Sequence, residues 1–216
     1  MKSLIDIQNN SVVIIGAGAT VKRNKDKILE FIKRTNALTI GINYMTSVMY
    51  PDFHLWTNKK RYHDFGSCIN SNKSTLLFGN NVPKKLIMEH HNGTYITITY
   101  VDERGCELGF RDNVIYGDFR TAGVLAIMLS HVYGAKTINV VGMDGFTLHS
   151  RKELLKEKKS HHCYGRGYTD DASWERCKYK DFLVNNALHK LKEYGVEFSI
   201  LTPTKFKDFY HPEYLI

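Results

Sequence analysis

Val12-Val13-Ile14-Ile15-Gly16-Ala17-Gly18-Ala19-Thr20 decides the fold: four consecutive β-branched residues run into two glycines one residue apart, and a charged stretch follows. A short apolar run without alternation describes a strand covered on both faces, as in a parallel sheet. The glycines allow a tight turn and let phosphate oxygens approach main-chain N–H groups, and a helix starting there adds a favourable dipole. The expectation is a strand-turn-helix unit that holds a nucleotide-type, phosphate-bearing ligand over Gly16, Ala17 and Gly18. A strand-to-helix turn that is merely tight has the same sequence. The third glycine of the dinucleotide pattern G-x-G-x-x-G falls on Val21, which leaves NAD a minor alternative.

Outward from this unit, further apolar runs, most with β-branched content, occur at 38–42, 53–56, 75–78, 95–101, 137–141 and 196–201, and helical patterns at 25–34, 122–133 and 174–194. The last two stop at Gly134 and Gly195, the usual residues just past a helix end. Alternation of this kind predicts a single α/β domain over residues 1–216: a Rossmann-like, doubly wound, mostly parallel sheet. The run Thr94-Tyr95-Ile96-Thr97-Ile98-Thr99-Tyr100 changes to period two after Asn92-Gly93, which predicts an antiparallel hairpin or sheet edge there. Residues 147–168 lack an apolar period, so 145–170 reads as a loop insertion or lid.

Composition bounds the function. The 216 residues carry 43% hydrophobic and 24% charged side chains with four prolines, which suits one folded domain with embellishments. The N-terminus turns polar too early for a signal peptide, and no stretch approaches the ~20 apolar residues of a membrane span, so the expected location is cytoplasmic. Cys68, Cys106, Cys163 and Cys177 contain no CxxC pair, which suits reduced thiols better than disulfides or structural zinc. A net charge of +8 favours an anionic partner. No nucleic-acid recognition pattern accompanies that charge, so a phosphorylated small molecule is expected rather than nucleic acid.

Candidate site residues sit at the predicted strand and helix ends. Asn43 and Asn58 follow the second and third strands, where amides can meet a base or sugar and can equally cap a turn or helix. Thr121, Ala122 and Gly123 open a helix whose first-turn amides lack intrahelical acceptors. Asp144, between Met143 and Gly145, suits a ribose hydroxyl, an acceptor or a metal, or simply a turn. Thr202 and Thr204 end the last strand at the same edge. In Ser160-His161-His162-Cys163-Tyr164-Gly165-Arg166, a histidine can deprotonate a hydroxyl and Arg166 can hold a phosphate. Thr169 and Asp170 read as the N-cap of the following helix, with Asp170 or Asp171 alternatively orienting a base.

The order strand-Gly-x-Gly, strand-Asn, Thr-x-Gly-Val opening a helix, Gly-Ala-Lys-x-Ile-x-Val-x-Gly-Met-Asp, a histidine-bearing loop and a strand ending Leu201-Thr202-Pro203 resembles bacterial sialyltransferases that use CMP-sialic acid in a modified single-Rossmann fold. It is also similar to the related hydroxymethylpterin diphosphokinase type. The likeness runs from Val12 to about Phe209 in scattered motifs. It implies that Gly16, Ala17, Gly18 and Asn43 cradle the phosphate and ribose of a CMP-type donor, with Asn58, Thr121, Ala122 and Gly123 near it. The family supports its leaving phosphate with a pair of tyrosines, where this chain has Phe146 and Arg151-Lys152 after Asp144; the family's basic histidine aligns with Gly165, a few residues after His161 and His162.

The resulting expectation is a glycosyltransferase-like enzyme of bacterial surface-polysaccharide assembly. It moves a sugar from a CMP-type donor to an acceptor hydroxyl without a required cofactor, with His161, His162, Asp144 and Arg166 as catalytic candidates. The alternatives are an ATP- and Mg²⁺-dependent diphosphokinase, with Asp144 as an acidic ligand, and a non-catalytic nucleotide- or sugar-binding module. A homo-oligomer is compatible with the aromatic tail 206–214.

Overall fold

A computed structural model of the chain describes residues 5–45, 48–149, 160–165 and 172–216. Among them, nine strands form one sheet in the order β6-β7-β5-β4-β3-β2-β1-β8-β9. The strands are β1 (Ser11–Ile15), β2 (Leu38–Ile42), β3 (Phe53–Trp56), β4 (Thr75–Gly79), β5 (Ile96–Asp102), β6 (Gly109–Arg111), β7 (Val114–Gly117), β8 (Thr137–Val141) and β9 (Ser199–Ile200). All pairs are parallel except β6 with β7. The helices are α1 (Thr20–Arg23), α2 (Lys25–Thr35), α3 (Lys59–Phe65), α4 (Lys84–Met88), α5 (Ala122–Val132) and α6 (Trp174–Glu193).

The Rossmann-like, doubly wound arrangement expected from the sequence is present. Alternate residues of the central strands face two cores. Val12, Ile14, Ile40, Ile42, Leu55 and Val140 pack with α5 and α6 on one face. Val13, Ile15 and Val141 pack with Ile28 and Phe31 of α2 on the other, continued by Trp56, Leu76 and Phe78 against Tyr62 and Ile87. Helix α5 is the most enclosed: seven consecutive residues, Val124 to Ser130, are buried between the sheet and α6. A two-sided environment removes the amphipathic stripe, which is why its sequence is apolar all round. Chain order reverses at β1, which has β2 on one side and β8 on the other. A crevice outside the carboxyl ends of β1 and β8 follows from that switch.

Two local expectations are corrected and one is extended. First, β5 is an interior parallel strand, paired with β4 and β7. Its alternation reflects cover on one face only: Ile98 is buried while Thr97 and Thr99 are exposed. The antiparallel edge is instead the hairpin β6-β7, turning at Asp112 and Asn113, both with positive φ (52° and 60°) as a tight two-residue hairpin requires. Second, the glycine turn enters a separate four-residue helix, α1, which the sequence did not announce; the helix expected at 25–34 follows it as α2 after Asn24. Third, α6 is capped by Ser173, whose hydroxyl accepts from the Arg176 amide, not by Thr169 or Asp170; those two residues, and Asp171, lie outside the described residues. Of the expected 145–170 insertion, 145–149 and 160–165 are described. No described helix is long and apolar enough to cross a membrane.

Candidate functional site

A cleft of about 730 Å³ opens at the carboxyl ends of β1, β2, β3, β5 and β8. Gly16, Ala17, Gly18, Asn43, Asn58, Thr121, Ala122, Gly123, Asp144, His161 and His162 all line it. Arg166 lies outside the described residues.

The glycine turn is built for chain-to-chain packing. The amides of Gly16 and Gly18 donate to the carbonyls of Val141 and Gly142, at 2.8 and 3.0 Å, and the Ala19 amide donates to His161. A Cβ on Gly16 or on Gly18 would stand 2.5 Å from the Gly142 carbonyl oxygen, and one on Gly18 would also strike the Asp144 carboxylate. The expectation that these amides cradle phosphate is thereby corrected at Gly16 and Gly18. Their hydrogen bonds seal β1 against β8.

Asp144 completes the seal. Its carboxylate accepts from the Thr20 amide at 2.9 Å and from the Thr20 hydroxyl, closing the start of α1 from across the sheet. Burial pushes its carboxyl up to about 6; the Thr20 hydrogen bonds and the Arg23 charge oppose that shift without cancelling it. With both oxygens hydrogen-bonded to Thr20, Asp144 braces the start of α1 while lining the cleft. The expectation that Thr202 or Thr204 touches the ligand is corrected. Both are fully buried, Thr202 accepting from the Gly142 amide and Thr204 donating to the Met143 carbonyl, so they fix the end of β8.

The two asparagines hold the neighbouring strand ends. Asn43, at positive φ, takes the amides of Thr57 and Asn58 on its side-chain oxygen at 3.2 and 3.3 Å. His54 Nε2 sits 2.6 Å from the Asn43 carbonyl and therefore carries the donated proton. Burial holds that imidazole down to about 4, so it is neutral near pH 7. Asn58 caps α3, its side chain accepting from the Arg61 amide at 3.0 Å. Thr121 likewise caps α5 through Val124. The first intrahelical bond of α5 runs from Leu125 to Thr121, so the Ala122 and Gly123 amides precede it at the cleft wall.

The histidine segment docks directly on the glycine turn. Gly18 and His162 form an antiparallel bridge, and the Cys163 amide donates to Ala17 at 2.8 Å. His162 stacks on Tyr164, with ring centroids 4.8 Å apart and planes at 6°, and its Nε2 lies 3.4 Å from Arg61 Nη2. Tyr164 meets Tyr44 and Phe65, which stack on each other at 4.2 Å.

Sequence reasoning missed the cations of the wall: Lys59, Lys60, Arg61, Arg120 and Lys180. Three of them were legible as the run Lys59-Lys60-Arg61 directly after the β3 end, and Arg120 immediately precedes the α5 cap. Arg120 forks onto Asp118 at 2.5 and 2.6 Å. Among the described residues, no group of three or more His, Cys, Asp or Glu is placed to hold a metal ion. The four cysteines are free thiols. Compared with protein-family models the sequence gives no match, and compared with curated proteins it gives none either.

Proposed function

We propose that the cleft is the active site of a cytoplasmic, sialyltransferase-like glycosyltransferase that moves a sugar from a CMP-type donor to an acceptor hydroxyl. The observation that carries this reading is the bridge between Gly18 and His162, because it fixes two imidazoles inside a cleft walled by Lys59, Lys60, Arg61, Arg120 and Lys180. A histidine takes the proton of the acceptor hydroxyl as its oxygen bonds to the anomeric carbon. The bond from that carbon to the donor phosphate breaks, and the cations neutralise the departing CMP. The Ala122 and Gly123 amides add donors at the cleft wall. The resemblance noted above supplies the choice of CMP, and the acceptor is a glycan or small molecule of surface-polysaccharide assembly.

The magnesium-dependent diphosphokinase is the competing reading, with Asp144 as its acidic ligand. Thermal stabilisation by CMP, CDP, UDP, NAD and ATP with Mg²⁺ tests the choice. A shift with CMP is expected; a shift with ATP and Mg²⁺ alone, or with none of the ligands, sinks it. Loss of CMP release from a CMP-activated sugar in the double variant His161→Ala, His162→Ala, by about 100-fold or more with CMP binding retained, marks the base.

A further inference from the structure

We propose that Arg61 is the positioning residue of the site: its guanidinium places the proton of the His162 imidazole on Nδ1 and makes Nε2 the base. The geometry supports the first half. Arg61 Nη2 is 3.4 Å from His162 Nε2, and a guanidinium has donors only and keeps its proton in proteins. Nε2 must therefore present its lone pair, and the ring's remaining proton sits on Nδ1. In water a neutral imidazole prefers the opposite tautomer, so the arrangement is imposed by the protein.

Both partners are tied to the sheet. On one side, Asn43 takes the Thr57 and Asn58 amides, Asn58 takes the Arg61 amide, and the α3 start is thereby fixed to the ends of β2 and β3. On the other, His162 bridges Gly18 at the end of β1. The ring plane is set by the stack on Tyr164, over which the Arg61 guanidinium also lies at 5.4 Å. Asn43 and Asn58 thus act through Arg61. The main-chain carbonyl of the neighbouring His161 accepts from the Ala19 amide.

For catalysis this assignment rests on the transferase reading above. A donor phosphate competes for the guanidinium through charge-assisted hydrogen bonds, and as Arg61 turns to it, Nε2 is released toward the acceptor hydroxyl. Of the two adjacent histidines, His162 is then the base, and its unmasking is coupled to donor binding.

The test uses the full chain labelled with ¹⁵N-histidine, with two-bond ¹H–¹⁵N correlations recorded at about pH 8, above the usual histidine range. His162 is assigned by the signal lost in His162→Gln. The expected result is an Nδ1–H pattern for His162 in the unmodified protein, kept in Arg61→Lys and converted to Nε2–H in Arg61→Ala. An Nε2–H pattern in the unmodified protein overturns the proposal whether or not any variant folds, and so does an unchanged pattern in folded Arg61→Ala. The tautomer is read without ligand, so failure of CMP to bind sinks the transferase reading and leaves this result standing. With turnover in hand, His162→Ala is expected to lose at least 100-fold and His161→Ala only a few-fold; the reverse overturns the choice of base.

Discussion

Two helix starts border the cleft, and they use their backbones differently. At α1 the glycine pair, which looks like a phosphate loop in the sequence, spends its amides on β8, and the helix start is closed by the Asp144 carboxylate. At α5 the plainer sequence Thr121-Ala122-Gly123 leaves two first-turn amides ahead of the first intrahelical bond. Close approach of backbones requires glycine whether the approaching group is a phosphate or another strand. The motif reports the approach and leaves the partner open.

The largest expected effect breaks the α1 side of that comparison. Gly18→Val drives a side chain into the Gly142 carbonyl and the Asp144 carboxylate, neither of which can retreat. It should cost roughly 3 kcal/mol or more by denaturant unfolding, with or without ligand. Gly123→Ala meets only the flexible Met143 methyl at 2.5 Å and the Thr121 hydroxyl at 3.7 Å. It should leave stability within about 1 kcal/mol and weaken CMP binding about tenfold. Equal loss of stability in the two variants would erase the contrast.

The second prediction concerns the carboxylate that seals α1. The folded-state carboxyl of Asp144 titrates near 6, above the ordinary 3.8, so its contribution to stability is complete below about pH 4 and is lost as pH rises through 6. Asp144→Asn cannot ionise. The stability difference, variant minus unmodified protein, should therefore climb between pH 4 and pH 7 by an amount on the order of 2–3 kcal/mol. Chemical denaturation at several pH values measures it, and a flat difference refutes the burial argument. The smallest effect separates a cap from a ligand contact. Asn58→Ala should destabilise by about 1 kcal/mol because the Arg61 amide loses its acceptor. Unchanged stability with weakened CMP binding would restore Asn58 to the ligand.

Much of the fold was legible because the strands under two helical layers are continuous apolar runs and two helices end on glycines, Gly134 at φ 77° and Gly195 at φ 91°. The error at β5 came from treating period two as a sign of strand direction. Alternation records which faces are covered, and β5 lies where the sheet is open on one side. The hairpin β6-β7 was missed because its strands are three and four residues long and its Asp112-Asn113 turn lacks a glycine. In the site, most of the residues singled out from the sequence line one cleft, but their hydrogen-bond partners were not legible. Position at a strand end is a one-dimensional property, but the partner of an amide or carboxylate lies across the sheet: Thr20 meets Asp144 124 positions away. Nothing local to either residue announces that pairing.

The same separation orders events during translation. β1 acquires β2 soon after it is made, yet its other edge stays unpaired until Thr137–Val141 emerges, when well over half the chain has been synthesised. Until then Val12–Ile15 presents a bare apolar edge, the kind of surface that recruits chaperones or joins a neighbouring nascent chain. Closing so large a loop is entropically slow. The Gly18–His162 bridge forms later still, so assembly of the cleft waits for the last third of the polypeptide, and a ribosome stalled before that point carries a sheet with no site.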